Sequence, residues 1–361
     1  MRRCLSFYRK SSLIDFRQLL TDPHAGVGVR ALRWCLRVAS LPYGLVMLSR
    51  NWCYDRGLLH TVRATLPVVS VGNLSVGGTG KSPLVAWLAK KLRQRNVRVA
   101  VLSRGYGQLD NGQNDEALEF ELQFPDVPHL QHWDRVASAK LAAEELDMEV
   151  LLLDDGFQHR RLARDLDIVL LDASEPPAAR WLLPGGLLRE SLSSLARADV
   201  VLLSRAARAT PAAYAKLLRQ IQRHAPQAAV LAANHRPSSL WNAAGEVLEL
   251  DQLSDQSVLA FCAIGHPNSF FASLEELGAS ILDRRTWPDH HPFAAADIAS
   301  LAHWTQQYPA AKSVVCTMKD WVKIQSESIG ALPLLALRIE MQFSEEPVEL
   351  EVKLDRMLTR R

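Results

Sequence analysis

The stretch Ser75-Val76-Gly77-Gly78-Thr79-Gly80-Lys81-Ser82-Pro83 decides how the rest of the chain is read. It follows the apolar run Pro67-Val68-Val69-Ser70-Val71 and precedes an amphipathic segment from Leu84 to Leu92. Strand, glycine-rich loop and helix, in that order, are the context in which such a motif holds a nucleotide phosphate. Glycines let successive backbone N–H groups turn inward around an anion, and the helix N-terminus adds partial positive charge. Ser75 to Ser82 are therefore the candidate nucleotide-binding residues. Lys81 is placed to reach the β- and γ-phosphates, and the Ser82 hydroxyl to bind Mg²⁺. The full pattern has glycine where this chain has Ser75, but the core from Gly77 to Ser82 is intact. The alternative is a glycine-rich turn that binds nothing.

Composition sets the bounds. With 361 residues, 48% of them apolar and 22% charged, the chain can bury a large core and form two domains. A net charge of +3 is too small to imply nucleic acid. The charge is uneven, however: residues 1–60 hold ten Lys or Arg against three acids. Five scattered cysteines without a C-x-x-C pair argue against a disulfide frame or a zinc site and fit a reducing cytosol. No apolar run reaches the roughly 18 residues of a membrane span. The N-terminus lacks the uninterrupted apolar core of a signal peptide.

Taken in order, the chain begins with a mixed segment, residues 1–29, with a possible helix around Leu13 to Leu20. Residues 30–60 alternate apolar and aromatic side chains (Trp34, Leu41, Leu45, Trp52) with Arg33, Arg37, Arg50 and Arg56. That pattern suits a helix lying in a membrane interface, or one docked on the protein's own core with a basic outer face. Beyond the glycine loop, strand Val97 to Leu102 ends in Ser103-Arg104-Gly105-Tyr106-Gly107, where ligands sit in open α/β sheets. Strand Val150 to Leu153 runs into Asp154-Asp155-Gly156-Phe157-Gln158-His159. An apolar strand ending in acid is how a carboxylate is brought to Mg²⁺ in phosphate-loop enzymes. Of two adjacent acids one faces the metal and one faces away, and His159 is spaced to pair with the second.

Further apolar strands at Asp167 to Asp172, Ala198 to Leu203 and Ala228 to Ala232 alternate with helical segments. This predicts a doubly wound, mainly parallel α/β sheet of the P-loop NTPase type. The rhythm breaks over 233–256, read as a linker, and a second, smaller α/β domain follows at 257–330. The expected organisation is thus an N-terminal extension and helix start (1–40), a phosphate-loop domain (41–232, with 41–60 completing the helix), the linker and the second domain. A return strand and C-terminal helix (331–361) close the chain. In the second domain Asp289-His290-His291 reads as a metal ligand group, a catalytic histidine beside an orienting acid, or a plain surface loop. Thr317-Met318-Lys319-Asp320 resembles a guanine-reading box only loosely.

Together these segments resemble the tetraacyldisaccharide 4′-kinases of lipid A synthesis. The motifs are V-G-N-L-S-V-G-G-T-G-K-S-P, S-R-G-Y-G, D-D-G-F-Q-H followed by R-x-x-R-D, L-P-G-G-L-L-R-E, I-G-H-P-x-x-F-F, D-H-H-P-F and T-x-K-D-x-V-K. The resemblance implies a P-loop α/β domain, a smaller α/β domain on a strand linker, and an N-terminal helix that meets the membrane. It implies that Lys81 and Ser82 hold ATP and Mg²⁺, that Asp154 and Glu190 are metal-side carboxylates, and that Arg189 contacts phosphate or substrate. Asp155, His159 and His290 fall at positions linked to catalysis. Asp115 falls at the acid of the family's G-D-E motif, which assists deprotonation of the sugar hydroxyl. Asn114 replaces that motif's glycine, and only seven residues separate Gly107 from Asp115, so Asp110 is the alternative. Met318 stands where the family often has Glu, and residues 1–29 have no counterpart.

The expected reaction is in-line phosphoryl transfer from ATP, with Mg²⁺, to the 4′-hydroxyl of a lipid-linked glucosamine disaccharide 1-phosphate. Asp115 and His290 would form the base. The acyl chains stay in the bilayer, so the expected location is peripheral, on the cytoplasmic face of the inner membrane. Residues 30–60 would make the contact, with no nucleic-acid partner and an open oligomeric state. A non-catalytic nucleotide switch or membrane scaffold is the alternative. A metallochaperone GTPase or dethiobiotin-synthetase-like ligase is a second, opposed by Val76 where a signature lysine would stand.

Overall fold

The computed structural model describes residues 19–20, 22, 26–105, 115–176, 179–265 and 267–359. Most of the helix expected at Leu13 to Leu20, together with Asp110 and Asn114, lies outside these residues. Strand β1 (Val68–Asn73) is buried along its whole length, as a strand covered by helices on both faces must be. It passes through the phosphate loop into α2 (Lys81–Gln94), which follows the N-terminal helix α1 (Val27–Asp55). Pro83 sits in the first turn of α2, where its missing N–H costs no helical bond. Leu84, Val85, Leu88, Ala89 and Leu92 put the apolar stripe of α2 on the sheet.

Around β1 lie β2 (Val99–Ser103), β3 (His129–Gln131), β4 (Val150–Asp154), β5 (Leu166–Asp172), β6 (Val200–Ser204) and β7 (Ala229–Trp241). The helices between them are α3 (Asp115–Gln123), α4 (Arg135–Glu144) and α5 (Pro211–His224). The order across this half is β3-β2-β4-β1-β5-β6-β7, with neighbours parallel throughout. Each crossover helix therefore covers a face, as in a doubly wound sheet. The second half contains β9 (Ser257–Cys262), α6 (Pro267–Glu276), β10 (Ser280–Thr286), α7 (Ala295–Thr305), β11 (Ser313–Thr317) and α8 (Met318–Ile324). It ends in β13 (Leu332–Phe343) and α9 (Val348–Leu358), with two-residue strands β8 (Val247–Leu248) and β12 (Ser328–Ile329) on the seam.

One correction concerns the segment expected as a linker from residue 233. The strand does not stop there. β7 runs 13 residues, parallel to β6 up to Ala232 and antiparallel to β13 from Ala233 to Trp241. The two halves thus share one 13-stranded sheet. Pro237, which reads as a strand breaker, faces Ile339 where the register shifts, and proline is tolerated at such an irregularity.

Helix α1, which covers most of residues 30–60, docks on the protein's own core by a narrow face. Its buried positions are small ones, Ser40 and Gly44. They dock on the Leu182–Gly185 turn: the Ser40 hydroxyl donates to the Leu182 carbonyl (2.8 Å) and accepts from the Gly185 N–H (2.9 Å). The large apolar side chains point the other way. Trp34, Leu41 and Leu45 are each 67–69% exposed. Among the described residues no helix is long and apolar enough to cross a membrane.

Candidate active site

The site lies where the carboxyl ends of β1 and β4 meet, the usual ligand position in an open α/β sheet. Register puts Asp154 beside Val71, so the strand-end acids stand next to the phosphate loop. The loop is shaped from within and without. Asn73 donates through Nδ2 to the Thr79 hydroxyl (2.9 Å), and Gly77 and Gly80 hold φ of 108° and 95°, angles open to glycine. Outside the loop, Arg205 joins the Gly78 carbonyl (2.8 Å) to the carboxylate of Asp172. The L-P-G-G-L-L-R-E loop supports the entry side: Val76 N–H donates to Leu187 and Arg189 N–H to Leu74, with Ser75 bridged to Leu188.

Asp155 sits between two cations. Lys81 Nζ lies 3.4 Å from Oδ1, and Arg189 Nη1 donates to Oδ2 at 2.8 Å. Burial alone would raise the Asp155 carboxyl, but Lys81 and Arg189 outweigh it and hold the group below the usual carboxylate range. Asp154 Oδ1 accepts the Asp155 N–H at 2.9 Å, which orients the pair. His159 does not pair with Asp155 as its spacing suggested; the charged partners of Asp155 are Lys81 and Arg189. Its Nε2 is buried without a hydrogen-bond partner. Burial, then Arg135, Arg164 and Arg161, push its pKa down to about 4, so it is neutral at working pH.

Glu190 was expected on the metal side. Its Oε2 accepts from Asn51 Nδ2 (2.7 Å) and Arg197 Nη2 (2.9 Å), with the side chain fully buried. Through that oxygen it ties α1 to Arg197, while its other oxygen, Oε1, is buried without a hydrogen-bond partner. Beside Asp155, Arg50, Arg104, Arg135 and Arg189 line a cleft of about 640 Å³ together with Trp133, Gln158 and His159. Four guanidinium groups around one acid suit a polyanionic ligand.

Asp115 and His290, 175 positions apart, are in contact. His290 Nδ1 lies 2.8 Å from Oδ2 and 3.0 Å from Oδ1 of Asp115. An ionised carboxylate only accepts, so Nδ1 carries the proton and Nε2 is the basic nitrogen. Asp115 is buried and His290 half exposed. Burial would raise the Asp115 pKa, but the hydrogen bond and charge of His290, then Lys319 and Lys323, bring it down to about 2. The hydrogen bond to Asp115 raises the His290 pKa, against burial and Lys319. A buried acid below a half-exposed imidazole is the arrangement of an oriented general base.

A family model described as tetraacyldisaccharide-1-P 4′-kinase matches residues 32–359. The chain belongs to this kinase family. A tetraacyldisaccharide 4′-kinase of Syntrophus aciditrophicus (strain SB) is 36% identical, over 90% of this chain and 93% of that protein. One from Geobacter sulfurreducens is 34% identical, over 98% of this chain and 99% of that protein. Among solved structures, LpxK from Aquifex aeolicus in complex with ATP has a TM-score of 0.71 at 30% identity, covering 91% of this chain and 99% of that one. The kinase family assignment agrees with the doubly wound sheet and the phosphate loop. Sequence reasoning passed over Arg135 and Arg205, and quoted Lys323 in the T-x-K-D-x-V-K motif without giving it a role. Arg135 offered one signal, an arginine opening a helix right after the Asp134 N-cap, where an exposed cation is unfavourable.

Proposed function

We propose that this chain phosphorylates the 4′-hydroxyl of a tetraacylated disaccharide 1-phosphate, using ATP, at a membrane surface. The observation that carries the reading is the Asp115–His290 contact, which joins the two halves of the chain into one reaction site. Phosphoryl transfer asks for charge neutralisation and alignment more than for covalent chemistry. Lys81 and the loop N–H groups would hold the transferring phosphoryl group. Asp155 keeps the Lys81 and Arg189 side chains in position. His290 Nε2 would accept the proton of the sugar hydroxyl, while Asp115 holds the ring and stabilises the imidazolium formed. The arginine cleft offers anion contacts for the acceptor's 1-phosphate.

The donor set fits Mg²⁺. Among the described residues no group of three or more His, Cys, Asp and Glu side chains could hold a metal alone. Mg²⁺ is ordinarily bound by one or two protein oxygens plus substrate phosphates, and the Ser82 hydroxyl and Asp154 would supply those oxygens. When bound, the ion neutralises charge on the β- and γ-phosphates.

The exposed apolar stripe of α1 supports peripheral attachment. The same helix supplies Arg50 to the cleft, so the surface-facing element and the site are one piece. A substrate whose acyl chains stay in the bilayer is thereby presented to His290; the reading places this at the cytoplasmic face. The test is a turnover assay in mixed micelles with ATP, Mg²⁺ and the tetraacyl disaccharide 1-phosphate. The wild type should turn over far above Lys81→Ala. His290→Ala should lower kcat about 10²-fold or more and leave ATP binding intact. A wild type no faster than Lys81→Ala would overturn the reading.

A further inference from the structure

The motif Thr317-Met318-Lys319-Asp320-Trp321-Val322-Lys323 enters the site so far only through the charges of Lys319 and Lys323 beside Asp115, yet the fold ties it there more closely. It forms the start and body of α8. Thr317 caps the helix, accepting from Asp320 N–H (3.3 Å) and donating through its hydroxyl to Asp320 Oδ2 (2.7 Å). That oxygen also accepts the Ala263 N–H (3.1 Å), and the Ala263 carbonyl accepts the His290 N–H (3.3 Å). Asp320 thus fixes the strand end on which the His290 loop hangs.

Lys323, one turn along α8, is 4% exposed. Its Nζ lies 3.5 Å from Asp320 Oδ1 and 3.5 Å from Asp115 Oδ2, the oxygen nearest His290 Nδ1. It also donates to the His291 carbonyl at 3.3 Å. One buried ammonium therefore touches the acid of the pair, the backbone next to its histidine, and a fully buried counter-ion on its own helix. A buried lysine is costly to desolvate and is kept only where its contacts are specific. Its neighbour Asp320, whose carboxyl burial pushes up, is its second acidic partner besides Asp115.

We infer that Lys323 is a positioning residue for the Asp115–His290 base: it locks the carboxylate and the His290 loop together and, by sharing the charge of Asp115, restrains the basicity of His290. The inference rests on the reading of that pair as the general base. Among the described residues the charged groups facing the pair are Asp289 beside His290, Lys319 and Lys323 from α8, and Asp320 behind Lys323. His291 is held off by its own acid, Asp297. Removing the Lys323 charge leaves Asp115 free to act wholly on His290 and removes a nearby cation. Both changes favour the imidazolium, so His290 should titrate at higher pH.

The experiment compares wild type, Lys323→Met, Lys323→Arg and the double variant Lys323→Met/Asp320→Asn, each as the full chain. The double variant removes both buried charges, should the single one unfold around an uncompensated Asp320. The first readout, independent of turnover, is the NMR titration of the His290 ring in protein without nucleotide. In the Met variants it should move up by about 0.5 pH unit or more, and the Arg variant should stay near wild type. The second is kinetic: kcat should fall about 10- to 100-fold with KM for ATP little changed, and the acid limb of kcat/KM should move up with the titration. An unmoved His290 titration in folded Met variants would overturn the inference, as would an Arg variant no better than Met. A wild type that fails to phosphorylate the disaccharide would instead overturn the kinase reading, and the titration would still decide the role of Lys323.

Discussion

His290 and Asp155 both hold left-handed backbone angles, φ +61° and +48°. Such angles cost of order 1–3 kcal/mol in a side-chain-bearing residue and persist where the surroundings fix them. Both sit at the reaction site, and at His290 the surroundings are the Ala263 carbonyl behind and Asp115 in front. The Asp115–His290 pair makes a two-sided pH prediction. The Asp115 pKa is depressed to about 2, so its stabilisation is present above the ordinary value and lost as pH falls toward 2. The His290 pKa is raised, so its share is complete below about 6.5 and lost as pH rises through the folded value. The His290 contact is one interaction seen from two ends and is counted once, weakened by the solvent around the half-exposed imidazole. Urea unfolding of wild type and Asp115→Asn should therefore differ most between about pH 4 and 6. A constant difference across pH 3–8 would contradict the pairing. In the same variant kcat should fall, and the acid limb of kcat/KM should move to lower pH, because the acid that raises His290 is gone. The identity of these residues was legible in the sequence through chemical type and motif. Lys323 was not, because nothing along the chain says that residue 323 meets residue 115.

At the scale of elements, strand–loop–helix order gave the phosphate loop its place, since buried apolar runs and glycines carry that information locally. Elements whose role depends on a partner were harder to read. Arginines and apolar residues along α1 fit either a docked or an interfacial helix, and only the structure shows that docking uses Ser40 and Gly44. On the turn that receives the helix, an added Cβ at Gly185 would come within 2.6 Å of the Arg37 backbone, so close approach accounts for glycine there. The opposite face is left with Trp34, Leu41, Leu45 and Leu48. Changing these four to Ser should cut co-flotation with vesicles of zwitterionic and anionic lipid at least tenfold. Each large apolar side chain is worth up to about 1.5–3 kcal/mol when buried. The melting temperature should move by less than about 3 °C, since exposed side chains contribute little to folding. Undiminished flotation would show that the membrane is met by another surface. Loss of folding would show that the stripe is covered by the protein itself.

For the whole molecule, the chain goes out through β7 and comes back through β13, and this antiparallel pair is the seam of the sheet. The sequence showed a break in rhythm at the seam because Asn234 and Pro237 interrupt the apolar pattern. It could not show that the break falls in a strand changing partners. The return has a consequence for folding. Helix α9 lies at the end of the chain, yet Leu350, Leu354 and Met357 are buried in the same cluster as Leu84, Leu88 and Leu92 of α2. Lys91–Glu351 and Arg95–Asp355 pair across the same contact at 2.9 and 2.8 Å. The ion pairs are partly exposed and add little. The three apolar side chains together are worth about 5–9 kcal/mol, comparable with the whole stability of an ordinary domain. A chain ending at residue 345 retains every residue assigned to the reaction site but uncovers the flank of α2 and the part of the core beside it. It should therefore be insoluble or unfold without a cooperative transition, and lose turnover for that reason. Supplying residues 346–361 as a separate peptide should restore part of the cooperativity. A truncated chain that melts cooperatively within a few degrees of the full one would show that α9 is an appendage and that the phosphate-loop half is complete without the returning strand's helix.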